Sequence, residues 1–204
     1  FIRSGRGRTA CYRVGLGRSG YTQKPFPGHY RGEVPMSETQ PWLQMLLVRE
    51  LEGFERELAL CDDALLWRTL PGVTNSVGTL ILHVTGNLQH FVGQVLGRTG
   101  YARDREREFS ARDLSGETVA AEIRRTIAVV QAVMPTITDE ALAQEYPEAV
   151  GGVRVPTGLF LTHLCAHLAL HLGQAGYLRR TLTGLNQSAG PLPMKPLGER
   201  GARV

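Results

Sequence analysis

Apolar side chains recur along this chain with the spacing of one helix face after another. Leu43, Leu47, Leu51, Phe54 and Leu58 fall on a single stripe of a 3.6-residue helix, with Arg49, Glu52 and Arg56 on the opposite side. This predicts a first helix from a cap near Ser37 or Thr39 to about Leu60, with Pro41 tolerated in its first turn. Leu70, Pro71 and Gly72 then break the helix. Val77, Ile81, Val84, Leu88, Phe91 and Val95 cluster on one side of a second helix, expected from an Asn75 cap to about Gly97. His83, Asn87, His90 and Gln94 form a polar stripe beside that face. A third helix is expected from about Ser115 through Ile123, Ile127, Val130 and Val133 to Met134, where Pro135 stops it, followed by a short turn around Thr138 to Leu142. The fourth begins after Pro156 and Thr157 and ends near Gly184. Its apolar residues surround nearly the whole circumference, which predicts the most buried element of the fold.

Four such helices point to an all-α protein, most economically a four-helix bundle. The connection at 98–114 is long enough to cross the length of a bundle, which allows the second and third helices to run parallel. Residues 146–156, YPEAVGGVRVP, read as a small hairpin or as a lid, and the sequence does not choose between them.

With 204 residues, 42% hydrophobic and 21% charged, the chain suits one domain plus extra length. Its net charge of +4 is misleading as a sign of a nucleic-acid partner. The first 35 residues carry seven Lys/Arg against one acid, so the remainder is close to neutral. That opening stretch has seven glycines, three prolines and no sustained period, and is expected to be a disordered basic tail at 1–35. Met36 follows it directly, so the tail is read as a remnant or upstream extension that need not belong to the native protein. Residues 186–204, NQSAGPLPMKPLGERGARV, read as a flexible C-terminal tail.

Nothing resembles a secretory signal. The fourth helix is long, but its stripe of three His and one Gln would be costly in lipid, so no membrane span is expected. Cys11, Cys61 and Cys165 form no CxxC pattern and are odd in number, which argues against a disulfide framework and fits a reducing cytoplasm.

Chemistry concentrates in THLCAHLALHLGQ, where His163, His167 and His171 follow one another at four-residue steps. Neighbours at that spacing share a helix face and can hold one metal ion as a pair. All three cannot, because His163 and His171 lie about 12 Å apart along a helix rising ~1.5 Å per residue, while a metal–nitrogen bond is about 2.0–2.1 Å. A further ligand must come from another segment, which would leave a coordination position open for water or substrate. Cys165 projects roughly 160° away from His167 and is not expected to be a ligand. Five of the six histidines lie on two predicted interior helices, and facing histidines are how bundles build metal sites.

Asn75-Ser76 ahead of the second helix, His83 within LILHVTGNLQHFVGQVLG, RDREREF at 103–109 and the His167-x-x-x-His171-x-Gly-Gln174 run together resemble the DinB superfamily, which includes YfiT-like metal-dependent hydrolases. The resemblance spans roughly Met36 to Gly184, the domain expected at 36–185. It implies a left-handed, up-down-down-up four-helix bundle, a homodimer, and a divalent metal, zinc or nickel, held by His83, His167 and His171. His163 and His90 then become groups that support or pack against the ligands, Gln174 a hydrogen-bond partner on the ligand face, and Gly173 a point of close helix approach.

The resemblance implies a thiol-dependent transferase, using glutathione, mycothiol or bacillithiol, or a hydrolase. Three neutral imidazoles leave a dication uncompensated, able to acidify a bound water or thiol. No dedicated general base stands out beside the site, which prefers thiol transfer over amide hydrolysis. A stress-associated metal-binding or scaffold protein without catalysis is the alternative. Arg98, Arg103, Arg105 and Arg107 are candidates to meet the carboxylates of a thiol cofactor. Their interleaving with Asp104, Glu106 and Glu108 reads first as a solvated loop held by local ion pairs.

Overall fold

The computed structural model describes residues 39–189. The basic stretch 1–35, the Ser37 cap and most of the C-terminal tail lie outside them. The predicted first stripe becomes α1 (Thr39–Leu58), with Leu43, Leu47, Leu51, Phe54 and Leu58 all buried. A one-turn helix, α2 (Asp63–Leu66), follows, its Asp62 cap accepting from the Leu65 amide. Next comes α3 (Val77–Leu88), which continues through a wider π-helical stretch over Gln89–Leu96. Its cap is Ser76 rather than Asn75, because the Ser76 hydroxyl accepts from the Thr79 amide at 3.1 Å.

The connection to the third long helix carries a short helix, α4 (Arg105–Ser110). Then come α5 (Gly116–Val133), a 3₁₀ turn at Met134–Thr136, α6 (Asp139–Ala143) capped by Thr138, and α7 (Thr157–Thr183). The fold is all-α. Helices α1 and α3 each pack against α5 and α7, so the four long helices enclose one core with α5 and α7 standing between the other two. No helix among the described residues is long and apolar enough to cross a membrane.

The most buried helix is α3, not α7 as the hydrophobic circumference suggested. Every residue from Val77 to Leu88 is buried, whereas α7 leaves Leu159 and Leu170 each 59% and Tyr177 73% exposed. Two glycines explain how α3 is covered on its outer side as well. A Cβ at Gly78 would meet the Trp67 ring at 2.6 Å, and one at Gly86 would collide with the Glu108 side chain arriving from α4. The chain thus lays α4 and Trp67 on a helix that the bundle already covers from within. Gly173, expected at a close helix approach, is instead exposed with open space around it.

Residues 144–156 form a narrow antiparallel hairpin, with Glu145 bridged to Pro156 and Val150 to Val153. Gly151 and Gly152 both take positive φ, 59° and 81°, as a tight two-residue turn between the paired segments requires. Tyr146 anchors this hairpin on the bundle. Its ring is buried beside Phe91 and Phe160, and its hydroxyl donates to the Phe91 carbonyl at 2.7 Å.

An ion pair with almost no solvent contact ties α1 to α7: Arg179 Nε donates to Glu57 Oε2 at 2.5 Å. The same pair holds the first residues of the expected C-terminal tail. Arg179 also donates to the Gln187 carbonyl, and Glu57 Oε1 accepts from the Ala189 amide at 3.3 Å. Removing one partner strands a buried charge, which typically costs about 3–5 kcal/mol, whereas replacing both by apolar groups is often neutral. Arg179→Met is therefore expected to lower unfolding stability by roughly that amount, and the Glu57→Leu/Arg179→Met double variant to recover most of it. Urea denaturation checks this; a double variant no more stable than Arg179→Met alone would contradict the stranded-charge account.

Candidate metal centre

The i, i+4 spacing on α7 puts His167 and His171 on one face, and the packing of α7 on α3 brings His83 opposite them. The three Nε2 atoms converge. His83 Nε2 lies 3.3 Å and His171 Nε2 3.0 Å from His167 Nε2, and the candidate ligand atoms all lie within 4.8 Å of one another. A tetrahedral ion with bonds of about 2.0–2.1 Å sets its ligand nitrogens roughly 3.3 Å apart. Two of the three separations, 3.0 and 3.3 Å, are close to that spacing.

Proton inventory strengthens the fit. A neutral imidazole has one N–H and one lone pair. His83 Nδ1 faces Glu108 Oε2 at 3.1 Å, and a carboxylate only accepts, so this nitrogen carries the proton. His171 Nδ1 donates to Gln174 Oε1 at 2.7 Å. Both rings therefore turn a lone pair toward His167, which has one proton to share between them. Its own Nδ1 is buried without a partner. No placement of that proton satisfies all three inner nitrogens, whereas a cation at the point of convergence would accept all three Nε2 lone pairs, leaving the His167 Nδ1–H as the group without a partner.

The surroundings favour the neutral form of His167 and His171. Burial pushes the His167 pKa down to about 4, helped by the nearby His171, His83, His163 and Arg103. Burial also lowers His171, against the opposing hydrogen bond with Gln174. Neutral imidazole is the form that ligates a metal.

His163 lies one turn before His167 on the exposed side of α7. Its ring stacks between Phe160 and His167, with centroids 6.1 Å from each, and so packs against a candidate ligand. His90 is not drawn into the cluster. Two helical turns beyond His83, or about 10 Å along the axis, its imidazole reaches Glu148 of the hairpin at 3.2 Å and packs edge-on against Phe91. Cys165 points away, buried against α1 near the Leu43 carbonyl.

The acidic and basic run at 103–109 is not the solvated loop its composition suggested. Arg105 and Arg107 are exposed, as is Arg98, but Glu108 is only 4% exposed. Arg103 donates to it from Nε at 2.6 Å and from Nη2 at 2.9 Å, while its guanidinium also lies 5.7 Å from the centre of the Phe91 ring. Burial by itself would raise the Glu108 carboxyl, but the hydrogen bonds from His83 and Arg103, with the Arg103 charge, hold it below the usual carboxylate value. Periodicity missed this residue because a six-residue helix is too short to show a face. The one available signal was Phe109, an apolar residue inside a run of charge.

The chain belongs to the DinB superfamily, whose family model matches residues 47–175, more than half of its length. The fold is also similar to the crystal structure of a DinB-like protein from Bacillus cereus, with 22% identity and a TM-score of 0.53 over 66% of this chain and 86% of that one. No curated protein matches the chain.

The neutral rings set an acid limit on stability. In the unfolded chain His167 titrates near the ordinary value of about 6.5, whereas in the fold it stays neutral down to about 4. Between these values the unfolded state binds more protons, so stability present above pH 6.5 is lost as pH falls toward 4. Denaturation midpoints of metal-free protein are expected to drop across that window, and less steeply in His167→Gln. A midpoint that is unchanged from pH 7 to pH 4.5 would show that the imidazoles are not buried as neutral groups.

Proposed function

We propose that this protein holds one divalent transition metal, zinc or nickel, on His83, His167 and His171 and catalyses transfer of a low-molecular-weight thiol to a small electrophile. The observation that carries the reading is the convergence of three imidazole Nε2 atoms with too few protons among them to pair with one another. Three neutral ligands leave the ion's charge uncompensated and a position open, which favours loss of a proton from a bound thiol.

The protein's own groups favour thiol addition over hydrolysis. Among the described residues, Glu108 is the acid bonded to the cluster, and His83 and Arg103 already engage both of its oxygens. No carboxylate is thereby left to activate water. The site also adjoins space for a substrate. A cavity of about 430 Å³ is lined by Leu70, Val73, Asn75, Leu80, Gln174 and Tyr177 among others, with no charged residue in its wall. Gln174 joins the cavity to the cluster, since its side chain accepts from His171. This lining suits an uncharged, partly apolar electrophile. The thiol, whether glutathione, mycothiol or bacillithiol, forms the new sulfur–carbon bond, its proton passes to solvent, and the leaving group departs with the electron pair.

Elemental analysis is expected to find about one equivalent of metal per chain in the purified protein, and little in His83→Ala or His171→Ala. Retention of a full equivalent by both variants would refute the ligand assignment. Activity is tested separately by offering metal-loaded protein each of the three thiols with a generic aromatic electrophile and an epoxide. A thiol-dependent rate above background, lost in His167→Ala, is expected. Hydrolysis of an amide or ester without any thiol-dependent rate would replace transfer by hydrolysis. No turnover, with a lower melting temperature after chelation, would make the metal purely structural.

A further inference from the structure

Among the charged residues of RDREREF, Glu108 is the one that the fold removes from water. Taking a carboxylate out of water costs several kcal/mol unless its lone pairs are met. Here they are met in a definite pattern. Arg103 grips both oxygens side by side, and Oε2 additionally reaches His83 Nδ1. The carboxylate lies directly against the backbone of α3 at Gly86, where any Cβ would strike it. Gly86 follows His83 by three residues, so the opening sits one helical turn from the ring it serves.

We propose that Glu108 and Arg103 form a positioning pair that fixes His83 as the Nδ1–H tautomer, with its Nε2 lone pair aimed at the metal, and that Gly86 is the gap that admits the carboxylate. Metal-bound histidines commonly donate their second N–H to a carboxylate, which sets both tautomer and ring orientation. Arg103 adds a second level of support. It cancels the charge of Glu108, so the pair acts through geometry at His83 rather than as an extra negative charge beside the ion. His83 needs this more than its partners do: His167 and His171 share one helix, whereas His83 must be aimed from across the core. His171 has a neutral counterpart of the same device in Gln174.

This inference deepens the metal reading and rests on it, but its first test requires no metal. Long-range ¹H–¹⁵N spectra of metal-free wild-type protein are expected to show His83 protonated on Nδ1. A proton on Nε2 overturns the proposal whatever the variants do. Chelator competition with cobalt(II) then compares the wild type with Glu108→Ala, Glu108→Gln and Gly86→Ala. Loss of the carboxylate is expected to weaken affinity by about 10–100-fold, with Gln, which keeps one acceptor, falling less far, and Gly86→Ala also weakened. The visible cobalt spectrum should shift in the same variants. If a variant that folds, judged by circular dichroism, binds cobalt within twofold of wild type and keeps the wild-type spectrum, Glu108 is a structural ion-pair member and the proposal fails. If the wild type itself binds no cobalt, the metal reading fails, while the tautomer spectrum still decides the role of Glu108.

Discussion

Three imidazole nitrogens meeting at one point, with too few protons among them, are the constraint on which the rest of the structure depends. Each buried ring has to place a donor and an acceptor, and an unpaired polar group away from water is costly. Glu108 and Gln174 take the outer N–H groups of His83 and His171. That leaves the inner lone pairs facing one another and His167 with an unpartnered Nδ1. A fold that tolerates this arrangement without a cation gives up stability at its centre. With a cation, the same arrangement becomes an open three-nitrogen site.

The bundle's asymmetry follows from serving that point. Helix α3 is buried on every side, because α5 and α7 cover its inner faces while Trp67 and α4 close over Gly78 and Gly86 outside. The outer cover also delivers Glu108 to His83. Helix α7 plays the opposite part. Its exposed side carries His163, Gln174 and Tyr177, so the cluster and the adjoining cavity stay reachable from solvent. At its far end, buried Arg179 locks α7 to Glu57 of α1 and fastens residues 187–189 over the joint. Each of these buried charges is paired, as burial demands.

Much of the fold was legible because helical periodicity is local. The stripe Leu43, Leu47, Leu51, Phe54 and Leu58 predicts the buried face of α1, and Pro135 and Gly184 mark where α5 and α7 give way. The same reasoning overestimated α7. A ring of apolar residues says that many faces can be buried, not that neighbours exist to bury them, and Leu159, Leu170 and Tyr177 remain exposed. It also missed α4, where capping by Asp104 and contact with α3 support a helix too short to stand by itself.

By itself the sequence determined that His167 and His171 share a helix face, that His163 cannot join both at one ion, and that Cys165 points elsewhere, since each follows from 100° per residue. Only the tertiary structure decided that His90 turns to Glu148 while Glu108 turns to His83. The physical reason is separation along the chain. Contacts within one helix are set by a few dihedral angles, but those joining His83 to Glu108, 25 residues away, or Glu57 to Arg179, 122 residues away, depend on how helices stack and where their loops return them.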